Sequence, residues 1–168
     1  MIPNIEIGVN LAVIPHSERT RIINACQGYF YLGLYKEALN ELDKIEAPED
    51  IGIDILVLRI DILIHLKKWN QVEKMTKEYI LLYPNVVDFA IQRTFVLKKL
   101  NRGNHAATIG TLISSEVIQS GLLNYRIACY EASFGNWDAA KKLLEDAIRI
   151  NKKIKKLASI DPKVFMLL

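Results

Sequence analysis

The feature that most constrains this chain is a short pattern of turn and helix that recurs every 34 residues. Residues 135–140 read Gly-Asn-Trp-Asp-Ala-Ala, and apolar residues follow at helical spacing as far as Ile148. Related stretches lie at residues 33–38 (Gly-Leu-Tyr-Lys-Glu-Ala) and 67–72 (Lys-Lys-Trp-Asn-Gln-Val). The pattern therefore predicts repeated pairs of helices, with a tight turn inside each pair.

Composition is that of a folded protein without a membrane span or a disulfide framework. Of the 168 residues, 51% are apolar, and glycine and proline are too scarce for a disordered or fibrous chain. The most apolar run, residues 51–66, contains Asp54, Arg59 and Asp61, so it is too charged to span a bilayer. The chain has only two cysteines, and its N-terminus lacks the basic region of a signal peptide, which predicts a cytoplasmic location. Because no segment is suited to span a bilayer, no membrane partner is expected.

Helical spacing and turn residues together predict four pairs of helices. Their ranges are 17–32 and the segment to 47, 54–66 and 69–83, 87–100 and 104–114, and 122–134 and 137–151. Ser17 is the predicted N-cap of the first helix, and residues 1–16 are predicted to be a short strand or an irregular segment. Val72, Met75, Tyr79 and Leu82 are the predicted inner face of the fourth helix. Gly110 lies within the second helix of the third pair, which we expect to be the softest.

The period and its key positions resemble the tetratricopeptide repeat. With repeats starting at residues 19, 53, 87 and 121, the small residue that opens the second helix falls on Ala38, Val72, Ala106 and Ala140. The residue at which the two helices cross falls on Cys26, Ile60, Thr94 and Ala128. Residues 159–165, Ser-Ile-Asp-Pro-Lys-Val-Phe, are similar to the cap that closes some bacterial members of the family.

This resemblance implies an all-α fold, a right-handed superhelix (α-solenoid) of about four helix-turn-helix units. It implies a single domain over residues 1–168, with an irregular lead at 1–18, repeats at 19–52, 53–86, 87–120 and 121–154, and a cap at 155–168. Because each pair leaves an apolar face for its neighbour to cover, the array needs a closing element. Val164, Phe165, Leu167 and Leu168 are expected to fold back over the last helix.

The resemblance also implies a binding groove, because partner peptides of this family usually lie against the first helix of each pair. The groove positions are Asn24, Gln27, Tyr31, Asp54, Asp61, His65, Asp88, Gln92, Phe95, Lys98, Lys99, Tyr125 and Arg126. The groove is expected to be acidic near Asp54, Asp61 and Asp88 and basic near Lys98, Lys99 and Arg126, which suits a segment of complementary charge. The alternative is that these charges form a solvated face.

Catalytic and cofactor chemistry is not expected. The three histidines are scattered over different elements, and no phosphate loop or nucleophile motif is present. Cys26 falls at a helix crossing, where core packing explains it. Cys129 falls on the groove side and is expected to be reachable, but no histidine lies near it in sequence to lower its pKa. The expected function is that of a non-catalytic scaffold or adaptor that binds another protein, without cofactor or metal.

Two alternatives involve the C-terminal part of the chain. Its basic residues, which could bind nucleic acid or an acidic partner, are Lys141, Lys142, Arg149, Lys152, Lys153, Lys155 and Lys156. This cluster lacks interleaved aromatic residues, and lysines at a helix C-terminus also complement the helix dipole, so nucleic acid is the weaker alternative. Self-association into a homo-oligomer is the other, through residues 165–168 if the cap leaves them exposed.

Overall fold

The computed structural model describes residues 16–45, 52–102 and 119–168. Within these ranges the chain is all-helical, as predicted. The helices are α1 His16–Tyr31, α2 Tyr35–Leu42, α3 Ile53–His65, α4 Trp69–Leu82, α5 Val87–Lys99, α6 Leu122–Ser133, α7 Trp137–Ile150 and α8 Ile154–Ala158, followed by a 3-10 turn at Phe165–Leu167. Residues 1–15 of the predicted irregular lead (1–18) and the predicted helix at 104–114 lie outside the described residues, whereas residues 16–18 of that lead are helical and begin α1.

Most helix ends agree with the sequence prediction to within one residue, and two do not. Ser17 lies inside α1, which begins at His16, so Ser17 is not the N-cap. The second helix ends at Leu42 rather than near residue 47, and the chain continues through a turn to the buried Ile45. The apolar spacing that suggested a longer helix therefore reflects burial of Ile45 beyond the helix end.

The turn inside each pair recurs in the backbone at the predicted period. Gly33, Lys67, Asn101 and Gly135 all have left-handed backbone, with φ of 73°, 56°, 58° and 75°. In the first turn, N–H of Gly33 donates to the Phe30 carbonyl at 3.0 Å and N–H of Leu34 to the Tyr29 carbonyl at 2.9 Å. The same two bonds recur at the other three turns. This is the Schellman ending of a helix, so one local motif ends the first helix of every predicted pair.

The positions that were predicted to be equivalent share the same burial. Cys26, Ile60, Thr94 and Ala128 are all buried, as are Ala38, Val72 and Ala140, whereas Ala106 lies outside the described residues. The structure is therefore a helical repeat in side-chain packing as well as in turn geometry.

One prediction on the fourth helix is wrong, because Leu82 is 61% exposed. Leu82 lies roughly 80° around the helix from Val72, and Thr76 is buried instead.

Backbone contacts divide the chain into two compact units, residues 1–51 and 52–168. In the first unit α1 packs against α2, and Ile22, Cys26 and Leu42 are buried. In the second unit α3 contacts α4 and α5, α4 contacts α5, α5 contacts α6, and α6 contacts α7. The first helices of its three pairs, α3, α5 and α6, are therefore neighbours in chain order. We call the side on which their predicted groove residues lie the first-helix face.

The C-terminal segment covers the last pair only in part. Val164 is fully buried, in a cluster with residues of α6, α7 and α8, and Leu167 packs against that cluster. The prediction that Phe165 and Leu168 also fold back is wrong, since they are 58% and 50% exposed. A 3-10 turn has three residues per turn, so Val164 and Leu167 share one side and Phe165 and Leu168 share the other.

Candidate interaction site on the first-helix face

A single carboxylate ties together the three first helices of the second unit. Asp61 on α3 accepts a hydrogen bond from Nε2 of Gln92 on α5 at 2.8 Å and from the hydroxyl of Tyr130 on α6 at 2.5 Å. Gln92 also donates to the Val57 carbonyl at 3.1 Å. Gln92 is fully buried, and burial, helped by the nearby Asp61, raises the pKa of Tyr130 well above its usual value. Around Asp61, the polar side chains of the first-helix face therefore hydrogen-bond to one another across its three helices.

An ion pair joins Arg126, one turn before Tyr130 on α6, to Asp88 at the start of α5. Nη2 of Arg126 lies 2.9 Å from Oδ1 of Asp88, and both side chains remain between one third and two fifths exposed. Burial alone would lower the pKa of Arg126, but Tyr130, Asp61 and Asp88 outweigh it and raise that pKa. The acidic and basic positions predicted for opposite parts of the groove thus neutralise each other here.

Lys99 is also paired within the chain. Its Nζ lies 2.6 Å from Oε2 of Glu131, which accepts a second bond from Asn136 at 2.7 Å. The same ammonium lies 4.9 Å from the centre of the Phe95 ring, which is a favourable cation–π distance. Phe95 is fully buried, and its ring stacks on Phe134 at 6.0 Å. Phe95 therefore supports the face from beneath and has no surface with which to touch a partner.

Asp161 anchors the C-terminal segment to α6. The hydroxyl of Tyr125 donates to Oδ2 of Asp161 at 2.7 Å, the thiol of Cys129 contacts the same oxygen at 3.5 Å, and N–H of Lys163 donates to Oδ1 at 2.9 Å. Burial alone would raise the pKa of Asp161, but these hydrogen bonds outweigh it and lower that pKa. The Asp161 carboxylate is thus held in its charged form.

Cys129 is not reachable, contrary to the prediction from sequence. It is 7% exposed, because α7, α8 and Val164 form one cluster with it. Burial, together with the neighbouring Asp161, raises the pKa of its thiol to about 12. A thiol with that pKa carries almost no thiolate near neutral pH, and the thiolate is the reactive form.

A small cavity, which we call the cap cavity, lies between α3, α6 and the C-terminal segment. Its volume is about 110 Å³ and it is partly open. The lining residues are Asp61, Tyr125, Arg126, Cys129, Tyr130, Asp161 and Lys163. Sites for small-molecule ligands usually measure about 300–1,000 Å³, so this cavity has room for a few waters or one side chain.

His65, the last residue of α3, interacts electrostatically with Lys163, which lines this cavity. Its ring is half-buried, with its centre 5.8 Å from that of Phe134. Burial, with a smaller contribution from Lys163, lowers the pKa of His65 to about 4. The imidazole is therefore neutral at physiological pH.

The remaining predicted groove residues are three on α1 of the first unit and two on helices of the second unit. Asn24, Gln27 and Tyr31 lie on α1 in the first unit, where Asn24 is exposed, Gln27 is half-buried and Tyr31 is 86% exposed. Asp54 and Lys98 are exposed on α3 and α5 of the second unit. Of the thirteen predicted residues, six (Asp61, Asp88, Gln92, Lys99, Tyr125 and Arg126) take part in the hydrogen bonds that the structure describes on the first-helix face and the C-terminal segment.

Sequence reasoning missed four residues that build the site. Tyr130 and Glu131 lie outside the helix positions from which the groove was predicted, and Asp161 and Lys163 were assigned only to the closing segment. The Asp-Pro pair of that segment was the one available signal for Asp161. The bond between Tyr130 and Asp61 joins residues 69 apart, which no local pattern reveals.

The described residues contain no group of three or more His, Cys, Asp or Glu side chains placed to hold a metal ion. None of the helices in these ranges is long and apolar enough to cross a bilayer. Comparisons with protein-family models, curated proteins and solved structures find nothing that matches this chain.

Proposed function

We propose that this chain is a non-catalytic protein–protein interaction module of tetratricopeptide-repeat type, which binds a partner segment across the first-helix face of its second unit. The carrying observation is the half-exposed ion pair of Arg126 and Asp88 beside the cap cavity. The recurring left-handed turn and the recurring buried positions support the repeat assignment and, with it, a solenoid architecture. A cytoplasmic location belongs to the same proposal.

The chemistry of the site favours binding over catalysis. The thiol of Cys129 has a pKa of about 12, and the pKa of the Tyr125 hydroxyl is raised by burial and by its bond to Asp161. Neither group is activated as a nucleophile or a base near neutral pH. The cap cavity is also smaller than a usual metabolite site, whereas one side chain of a partner fits its volume.

Arg126 is the residue from which a partner gains most. Asp88 is its hydrogen-bond partner within the described part of the chain, and a guanidinium has five N–H donors. Arg126 also lines the cap cavity, so a group that enters the cavity comes within reach of its side chain. Arginine and tyrosine are enriched among the residues that dominate binding energy at interfaces. We therefore expect a partner to place a carbonyl, amide or carboxylate oxygen against Arg126.

The test compares two substitutions that remove the same chemical group at different places. Arg126→Gln removes the guanidinium at the cap cavity. Arg102→Gln is the matched control, because Arg102 forms an ion pair at 2.6 Å with Glu73, away from the residues that line the cavity. Proteins captured from source-cell lysate by the wild-type chain are identified, purified and titrated against all three forms by calorimetry.

We expect Arg126→Gln to weaken binding by at least about tenfold, since arginine is enriched among the interface residues whose truncation has an effect of this size or more. The Arg102→Gln control is expected to bind within about twofold of wild type. Equal affinity of the Arg126→Gln and wild-type chains would refute the proposed site. Retention of a partner only in the absence of nuclease would point to nucleic acid instead.

A further inference from the structure

A surface of lysine and aliphatic side chains lies on the C-terminal segment, apart from the first-helix face. It consists of Lys152, Lys153, Lys155, Lys156, Leu157 and Ile160, and we call it the lysine–aliphatic surface. All six side chains are exposed, and Ile160 is 76% exposed. Four lysines within five residues are therefore followed by two aliphatic side chains that the fold leaves in water.

Backbone geometry places part of this surface on one side of a helical run. N–H of Lys156 donates to the Lys153 carbonyl at 3.1 Å, and N–H of Ile160 donates to the Leu157 carbonyl at 3.2 Å, so helical turns extend on both sides of α8. Ile154 and Ala158, four residues apart, are buried. Lys156, two residues from each of them, lies on the opposite side of α8, and Lys152 and Ile160 are exposed in the flanking turns. Two lysines and one isoleucine are thus left in water along this segment.

The charge of this surface is carried by its four lysines. In the described ranges, Lys152, Lys153, Lys155 and Lys156 have no carboxylate within ion-pair distance. Asp146 on α7 is paired with Arg149, and Asp161 accepts a hydrogen bond from Tyr125 but keeps its negative charge. Residues 152–168 contain five lysines against this one acidic side chain. The surface therefore presents a net positive charge to whatever lies against it.

We propose that the lysine–aliphatic surface docks on an anionic phospholipid membrane surface. Lysines near an anionic leaflet are attracted to its headgroups, and adjacent aliphatic side chains gain by entering the headgroup boundary. The exposed aliphatic groups favour lipid over nucleic acid, because a phosphate backbone gains nothing from Leu157 or Ile160. The surface also contains no arginine and no aromatic residue, which nucleic-acid surfaces use for stacking. Docking of this kind needs no spanning helix, whose absence was the basis for expecting no membrane partner.

Vesicle co-sedimentation of the full chain tests this proposal. The probes are neutral phosphatidylcholine vesicles and vesicles that also contain phosphatidylserine, and we expect binding to the second kind only. Each lysine near an anionic surface contributes about a fivefold change in partition, so Lys152→Gln with Lys156→Gln is expected to reduce binding about 25-fold. The matched control is Lys74→Gln with Lys77→Gln, which removes the same charge from exposed positions of α4 and should change binding less than about twofold.

Ile160→Ser separates the lipid proposal from binding to nucleic acid. We expect it to weaken vesicle binding about fivefold or more, since it removes the most exposed aliphatic group of the surface. Single- and double-stranded oligonucleotides are titrated in parallel. Equal vesicle binding by the two double-lysine variants, absence of vesicle binding, or oligonucleotide binding without vesicle binding each overturns the proposal. Arg126→Gln, which tests the first-helix face, should leave vesicle binding unchanged, so the two proposals fail independently.

Discussion

The Asp161 carboxylate is expected to hold the C-terminal segment on α6, and its removal gives the sharpest test of this structure. Asp161→Ala removes the bond from Tyr125 at 2.7 Å and the thiol contact at 3.5 Å. The N–H of Lys163 is exposed and regains its partner from water. Because hydrogen bonds to a charged group contribute about 1.5–3 kcal/mol, we expect opening of the segment to become about 2–3 kcal/mol easier, and Tyr125→Phe to account for about 1.5–2 kcal/mol of this.

Cys129 reports this opening directly, because its thiol lies beneath the segment. In a Cys26→Ala background, labelling of Cys129 by a thiol reagent requires the segment to open. An opening that is 2–3 kcal/mol easier corresponds to labelling that is about 30- to 150-fold faster. Asp146→Ala is the matched control, since the Asp146 carboxylate pairs with Arg149 on the exposed side of α7, and we expect its labelling rate to stay within about threefold of the background chain.

Unchanged labelling in Asp161→Ala would refute this role of Asp161. The same role sets a pH dependence whose sign follows from the pKa. The pKa of Asp161 in the folded chain is lower than its usual value of 3.8, so the contribution of Asp161 to stability is complete above that value. It is lost as pH falls through the folded pKa, because protonation removes the charge that the hydrogen bonds stabilise.

Three further predictions concern stability, each measured by denaturant unfolding. Burial and, secondarily, Lys163 lower the pKa of His65 to about 4, so the unfolded chain binds more protons than the folded chain at mildly acid pH. The free energy of unfolding should therefore fall by about 1–2 kcal/mol between about pH 7 and pH 5. This fall should vanish in His65→Gln. Gly121→Ala should destabilise the fold by about 3 kcal/mol and Gly135→Ala by only about 1–2 kcal/mol. Both glycines have φ near +75°, but of the two only Gly121 would place an added Cβ 2.7 Å from a backbone carbonyl oxygen of α7. Equal losses of stability would contradict this close approach. Lys67→Gly should stabilise by about 0.5 kcal/mol, since it relieves left-handed backbone at a non-glycine residue and offsets this partly by glycine's greater entropy when unfolded; a destabilised variant would contradict that sign.

The local features of this protein could be predicted from the sequence because they repeat and act over short range. A turn that ends one helix and starts the next requires a residue that tolerates positive φ, and Gly33 and Gly135 indicate the positions of two such turns. With a period of 34 residues, Lys67 and Asn101 fall at the positions equivalent to Gly33 and Gly135 although neither is glycine. The buried crossing positions follow in the same way, because helical spacing assigns each residue to a side of its helix.

The tertiary structure decided which of the predicted groove positions remain open. Helical spacing assigns Asp61, Gln92 and Arg126 to similar sides of three helices, but exposure depends on how closely those helices approach. They approach closely enough for Tyr130 to reach Asp61, and this contact, with that between Gln92 and Asp61, buries the middle of the face. The distance between helices depends on side chains that are far apart in sequence, so the periodicity of the sequence does not predict that distance.

The C-terminal segment shows the same division between sequence and fold. Its Asp-Pro pair and apolar residues predicted a closing element, and the burial of Val164 and the packing of Leu167 confirm that the segment packs on the last pair. The partners of Asp161 and the exposure of Phe165 followed only from where the 3-10 turn meets α6 and α7. Sequence thus determined the elements and their period, because those depend on neighbours within one or two helical turns. Only the packing of distant helices decided which charges are paired and which surface is left for a partner.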